Sequence, residues 1–329
     1  YSRRRSLNIQ PSLTYKQLHD QLLLEHEAGK HKESDAFNIL IFNKIWVSSF
    51  LKREEAEDIR GMLHDNALPF TTGSQIVSAL MLGLQEAFDR EKILLLFDAA
   101  SHPNEEVKVR ALISILITLY TYRKRTQLYP QIADRLAALA ETPGFIKTIR
   151  TIILRFILAR ETEKITRKLQ DEIIPEMLKL SPKLSKKINL NELTPEDLTG
   201  NEMNPEWESF FSDSTLGKKM VEFGELRQEG ADVMHSTFVH LKNFPFFHEL
   251  SNWLLPFTIE HSYFDDQFTP DNEAEKQMLD SMTFAAFMCN SDKYSLYFSM
   301  MQLPKEARKM MMNQFDSQAT EMIQQNKEE

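Results

Sequence analysis

Apolar positions recur along much of this chain at intervals of three and four, which gathers them on one face of an α-helix. From Thr14, the stretch LTYKQLHDQLLLEHEAGK places Leu18, Leu22 and Glu25 at helical spacing and stops at Gly29. Residues Ser34 to Leu51 are apolar on most sides, which predicts a buried helix with Trp46 in its core. Arg53 to Asp65 reads as a more polar helix and Ala67 to Gly73 as a loop. Ser74 to Phe88 and Asp89 to Ala100 form the next helix pair.

The pattern then repeats. The segment Leu94 to Leu119 returns 40 residues later, in weaker form, as Asp134 to Ala159. Leu96 meets Leu136, Ala100 meets Ala140, Pro103 meets Pro143 and Arg110 meets Arg150. Apolar residues coincide at Ala99/Leu139, Val109/Ile149, Leu112/Ile152, Ile113/Ile153, Leu116/Phe156 and Ile117/Ile157. A period of this length with two apolar helical stretches per period predicts stacked helix pairs. The breakers fit: His102-Pro103-Asn104 separates the helices of the first copy, with Asn104 as N-cap. Thr142-Pro143 does the same in the second, with Pro143 expected at the first helical position. Glu106 and Arg110 form an i,i+4 pair. The arginine lies where it can reach the inter-helix turn or a neighbouring pair.

VKVRALISIL (Val107 to Leu116) and IKTIRTIILRF (Ile146 to Phe156) resemble the second helix of a HEAT repeat. In that family a turn, often with Pro, leads into V-x-x-R-like residues and an apolar run. An acidic residue about five before the arginine is common there. Glu105 fills that place in the first copy and Phe145 departs from it in the second. The resemblance runs from Ser74 to about Leu180 and implies a right-handed α-α superhelix. The whole chain is also similar to bacterial helical-repeat proteins in which such a region precedes tetratricopeptide-type repeats. No tetratricopeptide pattern occurs here, so that array would lie beyond Glu329. An opening Tyr1 instead of Met also reads as part of a longer protein.

Residues 1–13 read as a polar tail, with Arg3, Arg4 and Arg5 solvated. A HEAT-like domain is expected over 14–187. Residues 188–214 form an acidic connector whose Thr194-Pro195-Glu196 and Asn204-Pro205-Glu206 open short helices. A C-terminal helical domain is expected over 215–329. It holds an amphipathic helix from Leu216 to Phe244 and an aromatic cluster of Phe244, Phe246, Phe247, Trp253, Phe257, Tyr263, Phe264 and Phe268. Such density reads as core rather than groove. Thr269-Pro270-Asp271 caps a helix towards Cys289, and Leu303-Pro304-Lys305 opens a last one with Met310, Met311, Met312 and Phe315 on its apolar face.

Composition narrows the function. Nine glycines and 13 prolines in 329 residues disfavour a turn-rich β protein, and the residues that dominate are good helix formers. A net charge of −9 opposes general binding to nucleic-acid phosphates. The single cysteine, Cys289, excludes a disulfide framework, suits a reducing compartment and reads as a small buried hydrophobe. The longest apolar run, Ala111 to Tyr120, is too short to span a bilayer, and no signal peptide opens the chain. A cytoplasmic location is expected.

No phosphate-binding, zinc-protease, nucleophile-elbow or Cys-x-x-Cys motif occurs. Two clusters offer chemistry. His235, His240, His248 and His261, with Glu249, Glu260, Asp265 and Asp266, have the residue types of a zinc site. However, His235 and His240 sit five apart, on divergent helix faces, and packing histidines are the simpler reading. Arg123, Lys124, Arg125, Arg150, Arg155, Arg160, Arg167 and Lys168 could line a nucleic-acid groove. The spacing of five from Arg150 to Arg160 instead walks around a helix. The expected function is a non-catalytic protein-interaction scaffold of stacked helix pairs. It uses no cofactor, metal or small-molecule substrate, binds no membrane and has a protein partner. A nucleic-acid-binding solenoid using Arg123 to Lys168 is the first alternative, and a metal-dependent enzyme using His235 to Asp266 the second.

Overall fold

The structure, a computed structural model, describes residues 13–159, 242–265, 279, 282–283 and 288–302. Every regular element among them is helical. In chain order these are α1 (Tyr15–Glu27), α2 (His31–Val47), α3 (Arg53–His64), α4 (Phe70–Glu86), α5 (Arg90–Ala99), α6 (Glu105–Thr121), the single turn α7 (Arg123–Thr126), α8 (Pro130–Ala140) and α9 (Phe145–Ala159). After a 3-10 turn at Pro245–His248 come the short α10 (Leu250–Trp253) and α11 (Ser262–Asp265), then α12 (Asn290–Met301).

Local chemistry sets most boundaries. Thr14 opens α1 with a reciprocal capping box: its hydroxyl accepts the Gln17 N–H, and the Gln17 side chain accepts the Thr14 N–H. Gly29, at φ 66°, supplies the left-handed turn between α1 and α2. Asp89 caps α5 by accepting from the Glu91 and Lys92 N–H groups, and Asn104 caps α6 as its sequence predicts.

Several local expectations change. The helix expected to reach Leu51 ends at Val47. Helix α4 starts at Phe70, so Thr71 to Gly73 are helical rather than loop. The Thr72 hydroxyl there donates to Asn38 Oδ1 at 2.9 Å, and Gly73 lets Val107 of α6 approach closely. Trp46 is half-buried rather than central; its indole N–H needs an acceptor and donates to Glu86 at 3.1 Å. Pro143 lies in the turn before α9 rather than at its first position, because Gly144 follows at φ 81° and the helix begins at Phe145. Cys289 is exposed at the N-cap of α12 instead of buried within a helix.

By packing, the chain divides into two compact units: Tyr1–Phe145 with Leu241–Glu329, and Ile146–His240. In the first, α1, α3, α5 and α8 contact one another in succession, and so do α2, α4 and α6. Within the first three pairs, helices also pack on their neighbours in sequence: α1 on α2, α3 on α4 and α5 on α6. The core between these rows holds Leu22, Phe42, Ile45, Ile59, Leu80, Leu96 and Ala111.

A buried lysine closes one seam. Lys92 Nζ donates to the carbonyls of Ile45 and Ser48 at 2.9 and 2.7 Å. These are acceptors that the C-terminal end of α2 leaves without helical donors. Gly83 makes room for it, since a Cβ there would stand 2.4 Å from the ammonium and 3.2 Å from the Trp46 carbonyl oxygen.

The described parts of 242–302 belong with α1 to α8 in the first unit. Phe246, Phe247, Phe257, Phe264, Tyr294, Tyr297 and Phe298 form a buried aromatic core. Trp253 stays at its edge, 41% exposed, with its N–H on the Phe247 carbonyl. Tyr294 is enclosed, donates to the Pro256 carbonyl at 2.9 Å, and burial pushes its hydroxyl far above the usual phenol range. Asp35 of α2 accepts the Ser262 N–H at 2.8 Å, across 227 residues of sequence. Phe268, Thr269 to Asp271 and Leu303 to Phe315 lie outside the described residues, as do 160–241 with the acidic connector.

Candidate functional site

Arg110 is the best-connected of the basic residues singled out in the sequence. It donates to Ser78 Oγ on α4 at 2.8 Å, to Glu106 at 2.7 Å, and to the Leu254 carbonyl. Glu106 also accepts from Asn290 at 3.3 Å. This arginine therefore ties two helices to the C-terminal segment and is structural. Arg123 and Arg125, on the one-turn α7, lie over the rings of Tyr120 and Phe88 at 5.6 and 4.4 Å. Arg150 and Arg155 are exposed on α9, and Arg160, Arg167 and Lys168 lie outside the described residues.

The histidine cluster does not converge where it is described. His248 is exposed at the end of the 3-10 turn. His261 is buried, with its ring edge-on to Phe246 at 5.1 Å and its Nδ1 accepting the Tyr263 N–H at 3.1 Å. Asp35 Oδ2 lies 3.5 Å from the same nitrogen. Among the described residues, no three His, Cys, Asp or Glu side chains are grouped so as to hold a metal ion. His235, His240 and Asp266 lie outside them.

Two surfaces stand out instead. The first is α9. Its sequence FIKTIRTIILRFILA contains no acidic residue, and only Ile152 is buried. Ile146, Arg150, Ile153 and Ile157 follow at intervals of four, three and four, which aligns them in one stripe. The three isoleucines are 62%, 43% and 58% exposed, and Leu154 and Phe156 flank them. Isolated exposed apolar residues are ordinary, but a contiguous run on one helix marks a contact face.

The second is a polar cleft between the start of α2, the start of α4 and the segment 252–261. Asp35, Asn38, Gln75, Asn252, Glu260 and His261 line it. Asn252 donates its amide to the Phe246 carbonyl at 2.9 Å, which fixes its Oδ1 as an acceptor. That oxygen and Gln75 Oε1 are buried without a hydrogen-bond partner. Sequence reading passes over this cleft because its walls come from segments more than 170 residues apart. The one local sign is that Asn38, Thr72 and Gln75 are polar positions among the apolar ones of their helices.

No family model, no curated protein and no solved structure matches this chain. Among the described residues no helix is long and apolar enough to cross a membrane.

Proposed function

We propose that this chain is a HEAT-like helical-repeat scaffold that binds an acidic amphipathic helix of a partner protein along α9. The observation that carries the reading is the stripe Ile146–Arg150–Ile153–Ile157, apolar and solvent-facing, with a cation at its centre. Such spacing is that of a helix seam, in which each residue enters a gap on the facing helix. Lys147 and Arg150 with no acidic residue on α9 favour a partner helix carrying Asp or Glu. The alternating rows of α1 to α8 support the repeat reading, since each helix pair buries its apolar faces against the next. The scaffold uses no cofactor and performs no reaction; cytoplasmic placement is part of the same reading.

The test is affinity capture on the whole chain, from nuclease-treated and chelator-treated lysate of its source. Ile153→Glu/Ile157→Glu and Arg150→Glu are compared with Lys124→Glu. The expected result is one stoichiometric protein held by the native chain and by Lys124→Glu, and lost from the two α9 variants. An acidic helical peptide from that protein should bind the native chain directly. Equal capture by all four chains overturns the reading. Capture abolished by nuclease transfers it to the basic region.

A further inference from the structure

Residues 242–265 and α12 pack in the same compact unit as α1 to α8, yet their core is their own. Phe246, Phe257, Phe264, Tyr294 and Phe298 bury against one another, and among the described residues no side chain of α1 to α8 enters that cluster. Tyr294 of α12 joins its parts. Its ring lies 4.5 Å from that of Phe246 and 5.0 Å from that of Phe257. Its hydroxyl donates to the Pro256 carbonyl at 2.9 Å and accepts the Thr258 N–H at 3.1 Å. Lys242 Nζ meets Asp292 Oδ1 at 2.6 Å, with the two side chains only 9% and 11% exposed. Parting such a buried pair strands a charge, so 242–265 and α12 hold together.

The seam against the helix rows is made differently. Arg110 of α6 donates to the Leu254 carbonyl, Asp35 of α2 accepts the Ser262 N–H at 2.8 Å, and Glu106 of α6 accepts from Asn290 at 3.3 Å. Arg110 and Asp35 each keep 18% of their side-chain surface exposed and Glu106 keeps 41%, so water is at hand to replace each bond. The cleft within the seam is mostly polar, with Ile39, Pro69 and Leu255 as its apolar residues. Closed, it leaves Gln75 Oε1 on α4 and Asn252 Oδ1 on α10 buried without donors, and parting the walls gives both to water. An apolar core on one side of a replaceable polar seam gives the two sides different opening free energies. We propose that 242–265 and α12 form a releasable cover, which lifts from α2, α4 and α6 as one body while α1 to α8 stay folded. The cover is independent of the α9 reading, and either can fail without the other.

Hydrogen exchange of the full chain, followed by mass spectrometry over a series of low urea concentrations, tests this. Peptides from 246–264 and 290–301 should exchange through one shared opening, about tenfold or more faster than the interiors of α3 and α5. Its urea dependence should be the shallower, because less surface is exposed than in global unfolding. Asp35→Ala should speed exchange in both stretches about tenfold and leave α3 and α5 unchanged. Gln75→Leu removes a buried oxygen that lacks a donor and should slow both stretches; a glutamine that served only the helix rows would instead move α3 and α5. One opening common to these stretches and to α3 and α5, separate openings for 246–264 and 290–301, or variants that shift every region alike overturns the proposal.

Discussion

Leu96 and Leu136 hold equivalent places in two stretches of sequence 40 residues apart, yet only Leu96 is fully enclosed. The contrast extends through both stretches. Ala100 is buried and Ala140 exposed; Leu116 is half-buried, Phe156 exposed. Ser114 is buried, whereas its counterpart Leu154 is 55% exposed. The more apolar helix is therefore the less enclosed one, and burial follows neighbours rather than composition. Helix α5 has α3, α4, α6 and α8 around it, and α6 packs on α4 and α5. Ser114 tolerates enclosure because its hydroxyl donates to the Arg110 carbonyl at 2.8 Å within its own helix.

The polar residues differ in the same way. Asp98 of the first copy and Lys92 just ahead of it fall opposite Ala138 and Ile132 at the 40-residue offset. Lys92 occupies the carbonyls at the end of α2, and Asp98 accepts from Arg60 at 2.7 Å and Arg135 at 3.1 Å. A helix surrounded on several sides can hold polar groups only where neighbours supply partners. The first copy has been fitted to such partners, and the second presents an apolar stripe instead.

The sharpest way to break this comparison is to truncate both leucines. Leu96→Ala should lose about 3 kcal/mol through lost burial and a cavity, whereas Leu136→Ala should lose under about 1 kcal/mol. Urea unfolding followed by circular dichroism measures both; equal losses would show that the two copies are equally enclosed. The arginines come next. Arg110→Met should cost about 2 kcal/mol, because Ser78, Glu106 and the Leu254 carbonyl lose a common donor. Arg150→Met, on an exposed helix face, should change stability by less than about 0.5 kcal/mol.

The smallest effect concerns the turns. His102 accepts the Asn104 N–H on Nδ1 at 3.0 Å, and partial burial holds its pKa below the usual histidine value. The folded state therefore disfavours the proton that the unfolded chain accepts. Its contribution is complete above the unfolded pKa and is lost as pH falls through and below about 6.5. Between about pH 7 and pH 5.5 the native chain should lose more thermal stability than His102→Gln. Its counterpart Thr142 has no titration, so Thr142→Gln should leave the pH profile unchanged. Identical native and His102→Gln profiles would remove His102 from this account.

Much of the helix layout was legible because the groups that decide it are neighbours in sequence. Thr14 and Gln17, Asp89 and the N–H groups after it, and Asn104 ahead of Glu106 each act within three positions. At two places where expectation and structure part, a distant residue intervenes. Trp46 meets Glu86 and Thr72 meets Asn38, whereas local spacing alone points to plain core and to loop. The candidate surfaces divide likewise. The α9 stripe could be spelled out from its own sequence, but its exposure could not, because equivalent residues in α6 are enclosed.

The sequence by itself determined that the chain is helical, where most helices begin, and that a 40-residue pattern recurs, since these follow from side-chain period and local capping. Tertiary structure alone decided which copy is enclosed, that Lys92 is buried, and that Asp35, Gln75 and Asn252 share one cleft. Those outcomes depend on which surfaces meet across tens to hundreds of residues, and short-range spacing carries no record of that.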